Sequence, residues 1–512
     1  MAARIRPILW GLALLGAPSC AIASDLIPQP ARCEARPDGL ALDDTATFYA
    51  DPAFATEAAA LAASLRTETG WPLPVVEVPD RAALRLLKGQ TTLPGEEAYD
   101  LEVTPRAAIL RAANPAGAAR AGATLRQLIP AGRAGGARTL PGLVVADAPR
   151  FAWRGLMLDC SRTFQSVDFL KQTIDRMALY KLNILHLHLT DDQGWRLALR
   201  RYPELTEKGA QFPSRYNEPP AHQGFYTQDQ MRDLVAYAAA RQVTIVPEIE
   251  MPGHCLAALA CHPELSCRGG PFEIFPFFQG PNITEDVFCA GNDEVFVFLE
   301  NVLDEVAALF PGPFLHVGGD EVPKTRWKEC PKCQARRARE GLKDEHELQS
   351  YFMRRVAAMV EKRGKRMIGW DEILEGGLPA KAAVMSWRGT QGGLAAARAG
   401  HDVVMSPTSH CYFDYSYDQI DSMKAFSFDP LAGIPEESRG HVLGLQANFW
   451  SHIDREPERV EAQLFPRLLA LAERGWAPDN RGASGDFARR LQVHLPRLRA
   501  AGIRFHDEHS NK

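Results

Sequence analysis

Between Arg154 and Trp450 the chain repeats one pattern eight times, a short apolar run followed by a longer stretch. The runs are "RGLMLDC", "NILHLHLT", "VTIVPEIE", "FLHVGGDE", "RMIGWDEI", "AVMSWRG", "DVVMSPTSH" and "VLGLQANFW". Near-continuous, often β-branched runs suit parallel strands buried on both faces. Most intervals carry helical spacing. Leu170, Ile174 and Met177 follow Ser166 as an N-cap, and Val295, Phe298, Val302, Val306 and Leu309 precede the fourth run. Eight strands alternating with helices predict an α/β fold, a (β/α)8 TIM barrel over 148–512. The competing fold, a doubly wound open sheet, rarely needs eight such units.

Residues 24–147 read as a separate small α/β domain. It holds a helix in "TEAAALAASLRTETG", strand-like "YDLEVTP" and "AAILRAA", and a second helix through "AGATLRQLI". "IPAGRAGGARTLPG" reads as a loop near its end. Upstream, Arg4 and Arg6 precede "ILWGLALLGA" and then "AIA", the charged, apolar and small-residue order of a secretory signal over 1–23. The expected location is periplasmic or extracellular. Cys20 follows "GAPS", a poor lipidation box. No later stretch is long and apolar enough to span a bilayer. A net charge of -5 gives no basic footprint, which argues against nucleic acid as a partner.

Nine of the ten cysteines lie beyond Cys20, and in an oxidising compartment some of them are expected to pair. "CPKC" (Cys330, Cys333) has the spacing of half a zinc site, but no second CxxC or HxxxH follows, so a local disulfide or free thiols are expected there. A Cys267–Cys289 bridge is the other expectation, and the odd total leaves at least one thiol free or paired between chains.

Polar residues gather at the C-terminal ends of the eight runs: Asp159 and Arg162; His188, Asp191 and Asp192; Glu248, Glu250 and His254; Asp320 and Glu321; Trp370, Asp371 and Glu372; Trp387 and Arg388; Tyr412 and Asp414; Gln446 and Trp450. Any one cluster is ordinary at a strand end. Eight on the rim where barrels build their sites mark a binding face. Trp370, Trp387, Trp450 and Tyr412 beside carboxylates suit a pyranose, whose C–H face packs on indole while its hydroxyls reach the acids. Neither GxGxxG nor a P-loop is present, and no cofactor is expected. "HLHLTDD" with His254 and Asp320 leaves a metal-dependent hydrolase as an alternative, but the ligand spacing matches no metal motif, and no metal is expected.

Asp320 and Glu321 are neighbours, and neighbours cannot flank a glycosidic bond from opposite faces as the usual carboxylate pair does. They can serve it from one side. One stays protonated for the leaving oxygen, its pKa raised by burial and by the adjacent charge. The other suits substrate-assisted hydrolysis, in which a 2-acetamido carbonyl attacks the anomeric carbon and the carboxylate holds the amide N–H.

"HVGGDE" resembles the signature of the family-twenty glycoside hydrolases, the β-N-acetylhexosaminidases. "RGLMLDCSRTF", "KLNILHLHLTDDQGWR", "VPEIEMPGH", "LQANFW" and "FPRLLALAE" resemble further segments of that family in order, and "GATLRQLI" with "ADAPRFAWRG" resembles its non-catalytic N-terminal domain. The resemblance implies exo-acting, retaining removal of terminal β-linked GlcNAc or GalNAc from oligosaccharides or glycoconjugates. It implies Glu321 as general acid and base, Asp320 on the acetamido group, and His254 with Asp191 as a relay behind Glu321. Arg162 would bind sugar hydroxyls. Tyr412 would donate to the acetamido oxygen with Asp414 near it, and Trp370, Trp387 and Trp450 would enclose the sugar. A carbohydrate-binding barrel without turnover is the other alternative. Two residues depart from the pattern: His452 stands where an acid usually reads O4 and O6, with Asp454 as a possible substitute, and Glu250 stands where Asp is usual.

Overall fold

The computed structural model describes residues 25–130, 132–281, 283–478 and 484–508. The stretch 1–23 read as a secretory signal, with Cys20, lies outside the described residues. Six strands form the N-terminal sheet, in the order Arg32–Ala35, Leu143–Asp147, Tyr99–Val103, Ala108–Ala112, Leu84–Lys88 and Phe48–Ala50. Period-2 burial explains the central hairpin: Tyr99, Leu101 and Val103 are buried while Glu102 faces water. Helices Ala55–Thr69 and Pro115–Leu128 pack apolar faces into the same core. The segment expected to be loop contains a short strand, Arg138–Leu140, which pairs antiparallel with Leu40–Leu42. Three residues of pairing on each side are too brief to leave a periodic signal.

All eight predicted runs become strands of one closed parallel barrel: β1 (Trp153–Asp159), β2 (Ile184–His188), β3 (Thr244–Glu248), β4 (Phe314–His316), β5 (Arg366–Trp370), β6 (Ala383–Ser386), β7 (Val403–Met405) and β8 (Val442–Phe449). β8 closes on β1 from Gly444↔Trp153 to Phe449↔Leu158. The crossovers include α1 (Val167–Leu179), α2 (Gln228–Ala239), α3 (Asp293–Leu309), α4 (Glu345–Lys362) and α5 (Gln391–Arg398), and α6 (Arg467–Trp476) follows β8. Ser166 caps α1 by accepting from Phe169 N, and Leu170, Ile174 and Met177 are buried on its inner face. Two crossovers carry no full helix. A single 3-10 turn, Asp371–Leu374, follows β5, and short turns of helix separate β7 from β8.

The barrel interior corrects one placement. Gln446 was expected on the rim, yet its Oε1 accepts from Trp153 Nε1 at 3.2 Å and its Nε2 donates to Asn448 at 3.0 Å. His186 Nδ1 lies 3.0 Å from the same amide nitrogen. β8 runs on for three residues past Gln446, so alternation buries Gln446 and Asn448 inside the barrel and leaves Trp450 at the mouth.

The two units are bolted together by buried charge. Asp147, at the end of the sheet's Leu143–Asp147 strand, accepts from Lys181 Nζ at 2.8 Å, Tyr99 Oη at 2.6 Å and Trp476 Nε1 at 3.0 Å. Glu97 receives Arg120 and Arg154 of β1. Burial opposes its charge, but the two guanidiniums hold its pKa near 2. Removing one partner of such a pair strands the other, at about 3–5 kcal/mol.

Candidate functional site

The centre of the rim is assembled by the ends of β1 to β4. The Gly318-Gly319 turn after β4 explains the sequence around the acidic pair. Gly318 and Gly319 have φ of +63° and +95°. A Cβ on Gly318 would fall 1.7 Å from Glu250 Oε1, and one on Gly319 would fall 2.5 Å from Ile373 Cγ2. Only glycine fits this backbone. Gly319 N–H donates to Glu250 Oε1 at 3.0 Å, which fixes the turn and delivers Asp320 and Glu321 to the mouth. Asp320 is 9% exposed, whereas the Glu321 side chain keeps 38% of its surface.

His254 stands between two pairs of acids. Its Nδ1 lies 3.4 Å from both Asp191 Oδ1 and Asp192 Oδ2. Its Nε2 lies 3.7 Å from Asp320 Oδ2 and 3.5 Å from Glu321 Oε2. Burial disfavours the imidazolium, but Asp191, then Asp192 and Glu321, raise its pKa well above the ordinary value. Asp191 is held the other way: burial opposes its charge, and Arg162 and His254 bring its pKa well below the carboxylate range. Arg162 Nη2 sits 2.8 Å from Asp191 Oδ2, with its guanidinium 4.7 Å over the Trp450 ring.

The protonation pattern of the acidic pair reverses the expectation. The adjacent charge was expected to raise Glu321. Instead its pKa is lowered, by the His254 imidazole 3.5 Å away against opposing burial, with Arg162 adding to the effect. Asp320 is the one raised, by burial first and by Glu248 and Glu321 over the opposing charge of His254. The physical reason is the cation, which sequence distance hides: Glu321 keeps water and gains His254, while Asp320 loses water.

Beneath this layer Glu248 gathers three histidines and an indole. Oε2 meets His188 Nδ1 at 2.5 Å and His186 Nε2 at 3.1 Å; Oε1 meets His316 Nδ1 and Trp370 Nε1, each at 2.8 Å. His188 Nε2 continues to Asp191 Oδ2 at 2.8 Å. Both Glu248 oxygens are thus taken by protein donors, and this histidine cluster serves as a buried scaffold for Asp191 and Trp370. Glu250, fully buried beside Asp320 and Glu248, has its pKa raised well above normal by burial and then by those two charges.

The aromatic wall starts at Trp450, which lies against Arg162 and His188. Trp387 stacks on Tyr412 at 6.1 Å, Tyr412 reaches Trp450 at 6.5 Å, and Trp450 reaches Trp370 at 5.9 Å. Trp387 Nε1 donates to Glu372 Oε2 at 2.9 Å, and burial with the nearby Asp320 charge raises Glu372 to about 8. Asp414 is buried near Arg467, and burial raises it to about 7. Arg388 turns to Asp371 and Glu375 at the outer edge instead of facing the mouth.

The residues expected at the centre therefore come together: Arg162, Asp191, His254, Asp320 and Glu321 form one charged group, and Trp450 against Arg162 joins it to Trp370, Tyr412 and Trp387. His452 packs on Phe277 at 4.5 Å, and burial followed by Arg162 lowers it to about 4, so it is neutral near pH 7. Asp454, the possible substitute, is held by Gln463 Nε2 at 2.6 Å and faces Arg459. Three contributors lacked an assigned role. Glu248 organises the histidines. Asp192 accepts from Leu256 N and Thr284 Oγ1 while facing His254. Phe277 covers Arg162 at 5.7 Å from a long irregular loop without periodicity to announce it.

Fold and rim together define a (β/α)8 barrel with a carboxylate–imidazole centre walled by aromatics. The model of glycosyl hydrolase family 20, catalytic domain, matches residues 151–479, and that of glycosyl hydrolase family 20, domain 2, matches 23–148. The chain belongs to glycosyl hydrolase family 20. It is 47% identical over 383 residues to a beta-hexosaminidase of Porphyromonas gingivalis, covering 72% of this chain and 48% of that one. It is 38% identical to a beta-hexosaminidase of Vibrio furnissii, covering 74% and 65%. The chain thus spans about half to two-thirds of these relatives' length. Among solved structures, an exo beta-N-acetylglucosaminidase of Vibrio harveyi in complex with N-acetylglucosamine superposes with a TM-score of 0.86 at 32% identity, over 95% of this chain and 78% of that one.

Proposed function

We propose that the protein is an exo-acting, retaining β-N-acetylhexosaminidase that removes terminal non-reducing GlcNAc or GalNAc by substrate assistance. The observation that carries this reading is His254 facing both members of the Asp320–Glu321 pair, in a charged group that Arg162 and Trp450 join to the aromatic wall. The acetamido carbonyl oxygen attacks C1, and the C1–O bond breaks with its electron pair leaving on the aglycone oxygen. Glu321 supplies the proton that oxygen takes. Asp320 holds the amide N–H and offsets the charge of the cyclic oxazolinium. Water then attacks C1, Glu321 takes its proton, and the C1–O bond to the acetamido oxygen opens. Two displacements retain configuration.

In the free protein the Glu321 pKa is lowered from the ordinary carboxylate value by His254, so its proton has to be recovered on binding. A sugar that covers its exposed surface removes water and raises its pKa, while the Asp191–His254 pair adjusts the opposing charge. Arg162 is positioned for ring hydroxyls, Trp370, Trp387 and Trp450 for the sugar face and acetyl methyl, and Tyr412 with Asp414 behind it for the acetamido oxygen. The names of the relatives agree with this substrate class. Export to the periplasm or beyond is part of the proposal and rests on the Arg4 to Ala23 sequence pattern alone.

Turnover of an aryl N-acetyl-β-glucosaminide tests the reading. Glu321→Gln is expected to lower kcat/KM by about 10²–10⁴, and the aryl β-glucoside is expected to be inert. Equal rates on both sugars would overturn substrate assistance, and no turnover of either would leave a binding barrel.

A further inference from the structure

We propose that Cys267, Cys289, Cys330 and Cys333 form a tetrathiolate site for one structural zinc ion, about which the rim is stapled. The four sulfurs all lie within 4.8 Å of one another. Sγ–Sγ separations are 3.8 Å for Cys267–Cys333, 3.7 Å for Cys289–Cys330 and 3.6 Å for Cys289–Cys333. A zinc tetrahedron with Zn–S of about 2.3 Å has S···S edges of about 3.8 Å. A disulfide holds its sulfurs about 2.05 Å apart. Three of the six edges have the tetrahedral spacing, the remaining ones stay within 4.8 Å, and none of the four is in a disulfide. One cysteine expectation is corrected and the other is met in its free-thiol form, since Cys330 and Cys333 are not bridged. Cys267 and Cys289 are not bridged to each other, and the missing half of the CPKC site comes from a loop 41 residues upstream of Cys330 instead of from a second CxxC.

The backbone is shaped for the same purpose. Gly291, two residues past Cys289, lies so close to the CPKC segment that a Cβ there would meet Lys332 C at 2.2 Å and Cys333 N at 2.4 Å. Cys289 N donates to Leu265 O at 2.9 Å, which holds the Cys267 and Cys289 arms side by side. Cys330 and Cys333 sit at the start of the helix Pro331–Arg339, where the helix dipole favours the net negative charge of a zinc tetrathiolate. Cys289, Cys330 and Cys333 are buried and Cys267 is half-buried, so the ligand shell is closed and leaves no position for a reacting water.

Loading is an exchange without redox change: the ion binds four sulfurs and the thiol protons leave to water. The consequence is mechanical. The loop between Cys267 and Cys289 carries Phe277 onto Arg162 and His452, and Thr284 onto Asp192. The CPKC segment begins nine residues after Glu321. The ion therefore ties the loop wall of the site to the segment that leaves the acidic pair.

The test is metal content of the full chain, purified without a metal-affinity matrix or chelator and with a phosphine reductant. About one zinc per chain is expected by mass spectrometry of the metal. Cys289→Ser and Cys333→Ser are expected to lose most of it, and Cys411→Ser, a buried thiol outside the cluster, to keep it. Exchange with cobalt should give the thiolate charge-transfer and intense d–d bands of a tetrahedral tetrathiolate. If a serine variant does not fold, the wild-type zinc content and cobalt spectrum decide alone. Zinc-free wild-type chain, peptide maps with disulfides among these four residues, iron in place of zinc, or zinc retained in folded Cys289→Ser and Cys333→Ser would each overturn the proposal.

Discussion

Replacing Gly318 by alanine probes the turn on which the acidic pair depends. The new Cβ would lie 1.7 Å from Glu250 Oε1, 2.0 Å from Cδ and 2.2 Å from Oε2, and Glu250 is buried with no open space to retreat into. At φ of +63° the alanine backbone itself costs about 1–2 kcal/mol. Displacing Glu250 breaks the 3.0 Å bond from Gly319 N–H and leaves a buried donor unpaired, a further ~1–3 kcal/mol. The sum is about 2–5 kcal/mol, and at roughly 1 °C per kcal/mol for a chain of this length the melting temperature should fall by about 2–5 °C. Differential scanning calorimetry reads that loss, and kcat should fall as Asp320 and Glu321 shift. Adding Glu250→Asp shortens the opposing side chain and should recover the steric part but not the backbone part. A melting point within about 1 °C of wild type with unchanged kcat would refute the steric reasoning.

Other outcomes follow from the charges. Burial, then the charges of Asp320 and Glu248, raise the Glu250 pKa, so Glu250→Gln should match wild type in stability only below the ordinary carboxylate pKa. Its raised folded pKa means that its contribution is complete below the unfolded carboxylate value and fades as pH rises through the folded one. The Gln variant should therefore gain on wild type as pH rises from the ordinary carboxylate value toward the raised folded one, and parallel pH–stability curves would contradict the assignment. His452→Glu restores an acid beside Arg162 and should change the ratio of kcat/KM for aryl N-acetylglucosaminide over N-acetylgalactosaminide by about tenfold, the worth of one added hydroxyl contact. An unchanged ratio would remove position 452 from hydroxyl recognition.

The barrel was legible because each strand is a local apolar run and each full crossover a local periodic one. The crossovers after β5 and β7 were less so, since short turns carry no 3.6-residue period. At the rim, residue types and strand-end positions pointed to Asp320, Glu321 and the indoles, while the choice of Arg162 and His254 over their neighbours came from family resemblance. Gln446 was misplaced because a strand's end is a backbone property that its side chains do not encode. The Glu321 pKa was misjudged for a related reason: its sequence neighbour is an acid, but the nearest charge across space is His254. The four-cysteine cluster was invisible for the same cause, since Cys267 and Cys289 reach CPKC only through tertiary packing.

The central claim is that the substrate's own amide displaces the aglycone while Glu321 protonates it. Its most direct measurement is kcat/KM for a series of aryl glucosaminides whose N-acetyl methyl carries zero to three fluorines. Each fluorine weakens the carbonyl oxygen as a nucleophile, so the account predicts a steep fall along the series with the aglycone held constant. A flat series, at full wild-type activity, would contradict it.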